Sequence, residues 1–307
     1  MPAAGVYPET AGLMRSLLFV PADSPRKLAR ALASAADALL VDLEDSVAPA
    51  AKAAARDAAR EFIAAARAAG GAKRLYVRVN ALDTGLIDAD LDAVMSAAPD
   101  GIMLPKCASG RNVQHLGVKL AVREAEYGLA DGGAKIIAIA TETGASLFQL
   151  GSYAGASRRL AALTWGAEDL SAELGAQATR LPDGGYTPPY ALARSLTLFG
   201  AVAADVAPID TVFPNYRDLA AFRSDCEAGA RDGFTGKMAI HPDQIAVINQ
   251  IFTPSAESVA RANAVVAAFA AAPEAGVIGL DGQMLDRPHL KRAQRLLERA
   301  HQNGTVL

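Results

Sequence analysis

Two short acidic words, TETGAS at Thr141 to Ser146 and GAEDL at Gly166 to Leu170, each close an apolar run rich in Ile, Ala and Leu. Their carboxylates, Glu142 and Asp169, therefore fall where strands end. In a barrel or open α/β sheet the ends of neighbouring parallel strands converge on one face, so acids distant in sequence share one site. Two carboxylates without accompanying His or Cys suit a hard divalent cation. Mg²⁺ prefers oxygen ligands and keeps positions for water and substrate, which makes one or two protein carboxylates its expected complement.

The other strand-like runs also deliver a polar residue where they finish: Asp23, then Asp42, Glu44 and Asp45, then Arg78 and Asn80, Lys106, Asn215 and His241. Arg78 sits inside LYVRVN, where alternation turns Leu75, Val77 and Val79 toward the helices and Tyr76, Arg78 and Asn80 inward. A buried guanidinium needs a partner, and Asp42 and Glu44 share one face of VDLED. A metal, a fixed Arg and accessory carboxylates suit a small oxyacid with a neighbouring carbonyl. Plainer readings stand beside these. Glu142 and Asp169 fit first helical turns, where negative charge is favoured, and Arg78 with Glu44 fits a structural ion pair. His241, before Pro, reads as a capping or packing residue; His115, His289 and His301 as surface residues; and Met95, Met103 and Met238 as core filler.

The elements that must position these groups follow from period and punctuation. Strand-like runs lie at Ser16 to Val20, Ala38 to Leu43, Leu75 to Asn80, Gly101 to Leu104, Lys135 to Ala140, Leu160 to Trp165, Ala207 to Phe213 and Lys237 to Ile240. Ala-rich segments with helical spacing, such as Pro25 to Ala36 and Ala50 to Ala69, separate them. Strict alternation predicts a (β/α)₈ TIM barrel over residues 15–253. Ser24 is placed to cap a helix begun by Pro25, and Pro242 with Asp243 opens the helix after His241. The loop from Thr179 to Pro189 is a candidate lid or subunit contact. Residues 254–307 predict a helix, a hairpin around Asp281 and Gly282, and a charged last helix. This lid or oligomerisation extension is expected to lack a core of its own and to pack on a neighbour. Residues 1–14 predict a flexible start that is neither signal peptide nor membrane span.

Composition bounds the function. The 307 residues carry a net charge of −3 from 30 basic and 33 acidic side chains, which gives no electrostatic case for a nucleic-acid partner. No stretch predicts a membrane partner, so the expected location is cytoplasmic. Cys107 and Cys226 form neither a disulfide framework nor a zinc spacing, and read as free buried thiols.

The words LFVPADSPRKL, VDLEDSV, RVNALDT, GIMLPK, TETGAS, GAEDL, GKMAIHPDQI and LDGQMLDRPHL fall in an order that resembles the HpcH/HpaI aldolase and citrate lyase β-subunit family, in its stand-alone CitE-like, acyl-CoA-cleaving branch. The resemblance runs from Leu17 to about Leu297. It implies a (β/α)₈ barrel with Mg²⁺ at its C-terminal face, assembled as a homotrimer or a multiple of three. By position it implies Glu142 and Asp169 as metal ligands, Glu142 also toward substrate, and Arg78 as the substrate-carboxylate or enolate clamp. Glu44 and Asp45 would lie just behind these ligands, and Asp286 in MLDRPH would be the acid that closes over a neighbouring subunit's site. Arg26 and Lys27 are weaker matches for coenzyme A phosphates, and Lys106 matches a family word without an assigned step. Relatives read LPKVES where this chain has LPKCAS, so Cys107 and Ala108 alter the surroundings of the pocket.

The function so implied is a Mg²⁺-dependent carbon–carbon lyase that cleaves or forms a 3-hydroxy-3-carboxyacyl-CoA thioester, such as malyl-CoA or citramalyl-CoA, giving acetyl-CoA and a 2-oxoacid. Its rivals are a malyl-CoA-type thioesterase, an aldolase of free 2-oxoacids, and a non-catalytic subunit of a citrate lyase complex.

Overall fold

The computed structural model describes residues 14–71 and 73–302. Eight strands, β1 (Ser16–Pro21), β2 (Ala38–Asp42), β3 (Arg74–Arg78), β4 (Gly101–Leu104), β5 (Lys135–Ile139), β6 (Leu160–Thr164), β7 (Ala207–Asp210) and β8 (Gly236–Ala239), close a parallel barrel in sequence order. Each matches one of the expected runs. They are apolar on both faces because a barrel strand is buried twice, inward against the other strands and outward against helices. Leu17, Leu40, Tyr76, Met103, Ile137, Ala162, Ile209 and Met238 fill the interior. Met14, placed in the expected flexible start, is instead buried with them, and residues 1–13 lie outside the described residues.

The barrel helices are α1 (Pro25–Leu32), α2 (Lys52–Ala68), α3 (Ile87–Val94), α4 (Gly110–Glu126), α5 (Gly144–Leu147), α6 (Ala167–Leu174), α7 (Pro188–Ala203), α8 (Leu219–Asp232) and α9 (Gln244–Phe252). Ser24 occupies the N-cap of α1 and Pro25 its first position, but the Ser24 side chain makes no capping bond, contrary to expectation. Among the described residues no helix is long and apolar enough to cross a membrane.

Two pairings in the barrel register matter for chemistry. Asp42 lies opposite Arg78 across β2 and β3, and Asp210 lies opposite Lys237 across β7 and β8. The Thr179–Pro189 loop closes on itself through an Arg180–Tyr186 bridge, and Arg180 pins it to Asp225 of α8 at 2.8 Å.

The chain divides into two compact units after Asn249 rather than after Thr253. The second contains α10 (Ala256–Ala271), the hairpin β9 (Val277–Leu280) and β10 (Gln283–Asp286), and α11 (Arg287–Gln302). Asp281 and Gly282 both take left-handed φ, 50° and 73°, as a two-residue hairpin turn requires. The expectation that this segment lacks a core is corrected. Ala262, Val265 and Phe269 of α10, Leu285 of the hairpin and Ala293 of α11 are buried together, with Ile278, Leu280, Leu290 and Leu297 packed around them. The error came from scoring each element alone; a helix pair and a hairpin bury one another's apolar faces.

Candidate active site

A cavity of about 590 Å³ opens at the C-terminal end of the strands, and its lining includes Asp42, Arg78, Glu142 and Asp169. Register delivers the first pair. The Arg78 fork donates from Nε and Nη2 to the two Asp42 oxygens at 2.7 and 2.6 Å, and Nη1 lies 3.1 Å from Glu44 Oε2. Phe19 packs its ring 4.8 Å from the guanidinium. Asp42 also accepts the backbone N–H groups of Glu44 and Ser46. Burial pushes its carboxyl upward, but the Arg78 fork and charge more than offset this and hold it below the usual carboxylate range. The plain reading of Arg78 as a structural ion pair is thus partly right, and Asp42 is its main partner. A guanidinium has five N–H groups. Asp42 takes one on Nε and one on Nη2, while Nη1 is in ion-pair contact with Glu44 without a hydrogen bond to its Oε2.

Glu142 follows β5 and precedes the short helix α5, whose N-cap Thr143 accepts the Ser146 backbone N–H at its hydroxyl and donates its own backbone N–H to Ser146 Oγ, a capping box. That box fixes the turn on which Glu142 stands. The carboxylate is 4% exposed, and burial together with the charge of Asp169 pushes it up to about 8. Gly166 passes so close that a Cβ there would lie 2.8 Å from Glu142 Cγ. Asp169 sits in the first turn of α6, as the plainer reading held, and it lines the cavity as well.

Lys106 joins the two halves. Its backbone takes a left-handed φ of 49°, unusual for a side chain with a Cβ. The backbone N–H donates to Glu142 Oε2. The ammonium reaches Glu44 Oε1 at 2.5 Å and lies 3.4 Å from Asp45 and 3.5 Å from Asp169. Burial opposes its charge, but the Glu44 bond and the neighbouring acids raise its pKa above the ordinary lysine value. Glu44 itself is pushed upward by burial, which the Arg78 and Lys106 charges only partly offset. Cys107 is buried, which pushes its thiol up to about 11; its carbonyl accepts the Tyr153 hydroxyl at 2.8 Å. It is packing, as expected of a free thiol.

Of the weaker candidates, Lys27 lines the cavity and Arg26 does not; Arg30, one turn further along α1, does. Asp23 and Asn215 are exposed and form no part of the lining, and Asn80 turns from the cavity to bond Asp90 of α3 at 2.7 Å. The inward orientation expected for Asn80 fails because β3 ends at Arg78, and strand alternation ends with it. His241 accepts the Asp243 N–H at Nδ1, 3.3 Å, and stacks on Tyr216 at 4.7 Å, so it caps and packs as read; both rings also line the cavity mouth. Asp286, in the second unit, has a partner that sequence reasoning missed. Its Oδ1 lies 2.5 Å from His289 Nδ1, and this bond holds the carboxyl below its usual range.

Two further residues escaped the sequence reading. Thr211 is buried on the cavity wall, and its hydroxyl has no protein partner. Trp165 is fully buried, lines the cavity and donates Nε1–H to Asp210 at 2.8 Å. No signal in the sequence marks the hydroxyl as unpaired; Trp165, immediately before GAEDL, was visible as the single Trp of the chain.

Residues 15–242 match the profile of the HpcH/HpaI aldolase/citrate lyase family, and residues 196–305 match that of a C–C bond lyase of the TIM-barrel fold. The chain is 34% identical to citrate lyase subunit beta of Leuconostoc mesenteroides subsp. cremoris, over 96% of this chain and 95% of that one. It is 32% identical to the L-malyl-CoA/beta-methylmalyl-CoA lyase of Cereibacter sphaeroides, over 93% and 94% of the two chains. The solved structure of CitE from Mycobacterium tuberculosis in complex with magnesium, acetoacetate and coenzyme A is similar with a TM-score of 0.77 and 34% identity, covering 95% of this chain and 99% of that one. The chain therefore belongs to the HpcH/HpaI aldolase/citrate lyase family.

Proposed function

We propose that the chain is a Mg²⁺-dependent carbon–carbon lyase acting on a 3-hydroxy-3-carboxyacyl thioester of coenzyme A, of the malyl-CoA or citramalyl-CoA type. The observation that carries this reading is the placement of Glu142, Asp169 and Arg78 on the wall of one cavity. The donor set fits the ion. It is oxygen only, Lys106 at 3.5 Å from Asp169 is a partial counter-charge, and among the described residues no cluster of three or more His, Cys, Asp or Glu competes for a metal. Bound between Glu142 and Asp169, Mg²⁺ would supply Lewis-acid polarisation of the substrate's hydroxyl and carboxylate oxygens.

The residues of the chain then divide the work. Cleavage breaks the bond between the hydroxyl-bearing carbon and the carbon beside the thioester, leaving a 2-oxoacid and a thioester enolate. The N–H groups of Arg78 that Asp42 does not take are suited to hold the enolate oxygen, and the paired Asp42 keeps the fork from turning. Lys27 and Arg30 at the cavity lining offer cationic contacts for coenzyme A phosphates, and the stacked Tyr216 and His241 rings offer a flat apolar face beside them. Asp286 of a neighbouring subunit, a carboxylate oriented by His289, is the proposed acceptor of the hydroxyl proton as the carbon–carbon bond breaks, and the proton it takes up is then delivered to the enolate carbon. The proposed assembly is a homotrimer. Exposed Phe148, together with Leu192, Phe199 and Val202 on one face of α7, leaves apolar surface that a second copy would cover.

The test is to incubate purified protein and Mg²⁺ with malyl-CoA, citramalyl-CoA and citryl-CoA, following free thiol and 2-oxoacid together. The lyase reading expects 2-oxoacid and acetyl-CoA without free thiol. Free thiol without 2-oxoacid would replace it with the thioesterase. Asp169→Asn should abolish saturable Mg²⁺ binding in a calorimetric titration while the fold survives, and unchanged binding would remove Asp169 from the metal site.

A further inference from the structure

A second cavity, of about 270 Å³, opens where strands β3, β4 and β5 begin, and Arg74, Tyr76, Asp100, Ala130, Asp131 and Lys135 line it. Arg78, Glu142 and Asp169 stand at the opposite ends of the strands. Arg74 and Arg78 are the first and last residues of β3, and four steps along a strand span about 13 Å. A small ligand in the second cavity is therefore out of reach of the barrel mouth.

Register builds the recess. Tyr76 pairs with Gly101 and Gly101 with Lys135, so the three lie in one row across β3, β4 and β5. A Cβ on Gly101 would lie 2.6 Å from Tyr76 Cε1, so glycine is what lets the buried Tyr76 ring lie over β4. Arg74 hydrogen-bonds the Tyr76 hydroxyl. The acids of the lining are already matched. Asp100 Oδ2 accepts from Arg67 and from the Leu75 backbone N–H. Asp131 meets Arg158 through one oxygen and Arg159, at 3.0 Å, through the other. Lys135 is not matched. Its half-buried ammonium donates to the Gly132 carbonyl at 3.0 Å, and no carboxylate of the described residues pairs with it. An ammonium has three donors, so two remain for a ligand, and Arg74 adds a second positive charge to the same wall.

We infer that this recess is a phosphate-binding site, in which the Lys135 ammonium and the Arg74 guanidinium receive inorganic phosphate or the phosphate group of a small monoester. The surplus of cations calls for an anion, and the wall selects its kind. Apart from Ala130 and the Tyr76 ring the lining offers no apolar side chain, so an organic body would gain little by burial there. A phosphate group instead sets separate oxygens against the two cations. The volume leaves room for it together with several waters, each of which occupies about 30 Å³ in the liquid. The site stands whether or not the barrel mouth cleaves a thioester.

Calorimetric titration of the full chain, without Mg²⁺ and at constant ionic strength, tests it with two probes, inorganic phosphate and glycerol 3-phosphate. Saturable binding of at least one probe is expected, and the tighter of the two tells whether the free ion or an ester is the ligand. Lys135→Gln removes the ammonium, and Ala130→Glu brings a carboxylate to the lining from an exposed position. Each should weaken the binding by about tenfold or more, the worth of one hydrogen bond between charged groups. Both should keep the parent's Tm in phosphate-free buffer, because the one protein bond of the Lys135 side chain is to a loop carbonyl. If one variant fails to fold, the other decides. Lys27→Gln, at the barrel mouth, should leave the affinity unchanged. Absence of saturable binding overturns the site, and so does an affinity that Lys135→Gln and Ala130→Glu leave intact or that only Lys27→Gln lowers.

Discussion

Asp42→Asn tests whether the Arg78 fork is aimed by its partner. The substitution keeps shape and removes one charge. Asp42 accepts both arms of the fork at 2.7 and 2.6 Å, in a pair whose side chains are 2% and 13% exposed, so solvent screens it little. An amide accepts from one arm through its oxygen and sets its own N–H₂ against the other. A hydrogen bond to a charged group contributes about 1.5–3 kcal/mol, and the opposed donors add a desolvation cost, so roughly 3 kcal/mol is at stake. If this falls on the folded state, the urea midpoint drops by about 1 M for an m-value near 3 kcal/mol/M. A fork displaced by about an ångström should cost on the order of 100-fold in kcat/KM. Urea unfolding followed by Trp165 fluorescence, and turnover of citramalyl-CoA, read the two effects. The pH dependence has a defined sign. Because the folded Asp42 lies below the ordinary aspartate value of 3.8, its contribution is complete above that value and is lost as pH falls through the folded pKa. The stability gap between parent and variant should close in acid. A variant with the parent's midpoint and the parent's kcat/KM would show that Asp42 does not aim Arg78.

Gly166→Ala places a Cβ 2.8 Å from Glu142 Cγ and 3.2 Å from its Oε1, while the backbone, at φ −116°, tolerates alanine. Mg²⁺ affinity by calorimetry should fall by about 10- to 100-fold with a near-parental Tm, and an unchanged affinity would separate Glu142 from the metal site. Glu124→Gln removes a buried carboxylate that takes Arg159 at 2.8 and 2.6 Å and two backbone N–H groups. Burial pushes Glu124 up, but these partners hold it below the ordinary glutamate value of 4.5, so the loss of unfolding free energy should be full at pH 7 and shrink below about 4.5. A loss independent of pH would mean that the carboxylate charge is not what Arg159 holds.

The barrel was legible because each strand is a short apolar run bounded by helical spacing, a pattern that depends on residue type alone. So was the meeting of strand-end residues at one cavity: Glu142, Asp169, Arg78 and its partner Asp42. What was not legible depends on conformation beyond strand ends. Asn80 continues the alternation on paper, but the strand has already ended at Arg78. Nothing in LPKCAS announces that Lys106 takes a left-handed backbone, by which its N–H reaches Glu142. The core of residues 250–302 was missed for a related reason: its members, from Ala262 to Ala293, come from three elements, each of which looks too thin alone.

Lys106 ties the acids Glu142 and Asp169 to the Arg78 ion-pair group. Holding a non-glycine residue in the left-handed region costs on the order of 1–2 kcal/mol. The position returns two contacts that a relaxed backbone would not make together: the N–H to buried Glu142, and the ammonium to Glu44, which in turn meets Arg78. Burial and then the charge of Asp169 push the Glu142 carboxyl upward, the Lys106 backbone bond and charge oppose this, and the Lys106 ammonium also holds Glu44 beside the fork. Lys106 thus links Glu142, held by its backbone N–H, to Glu44, held by its ammonium, and through Glu44 to the Arg78 guanidinium.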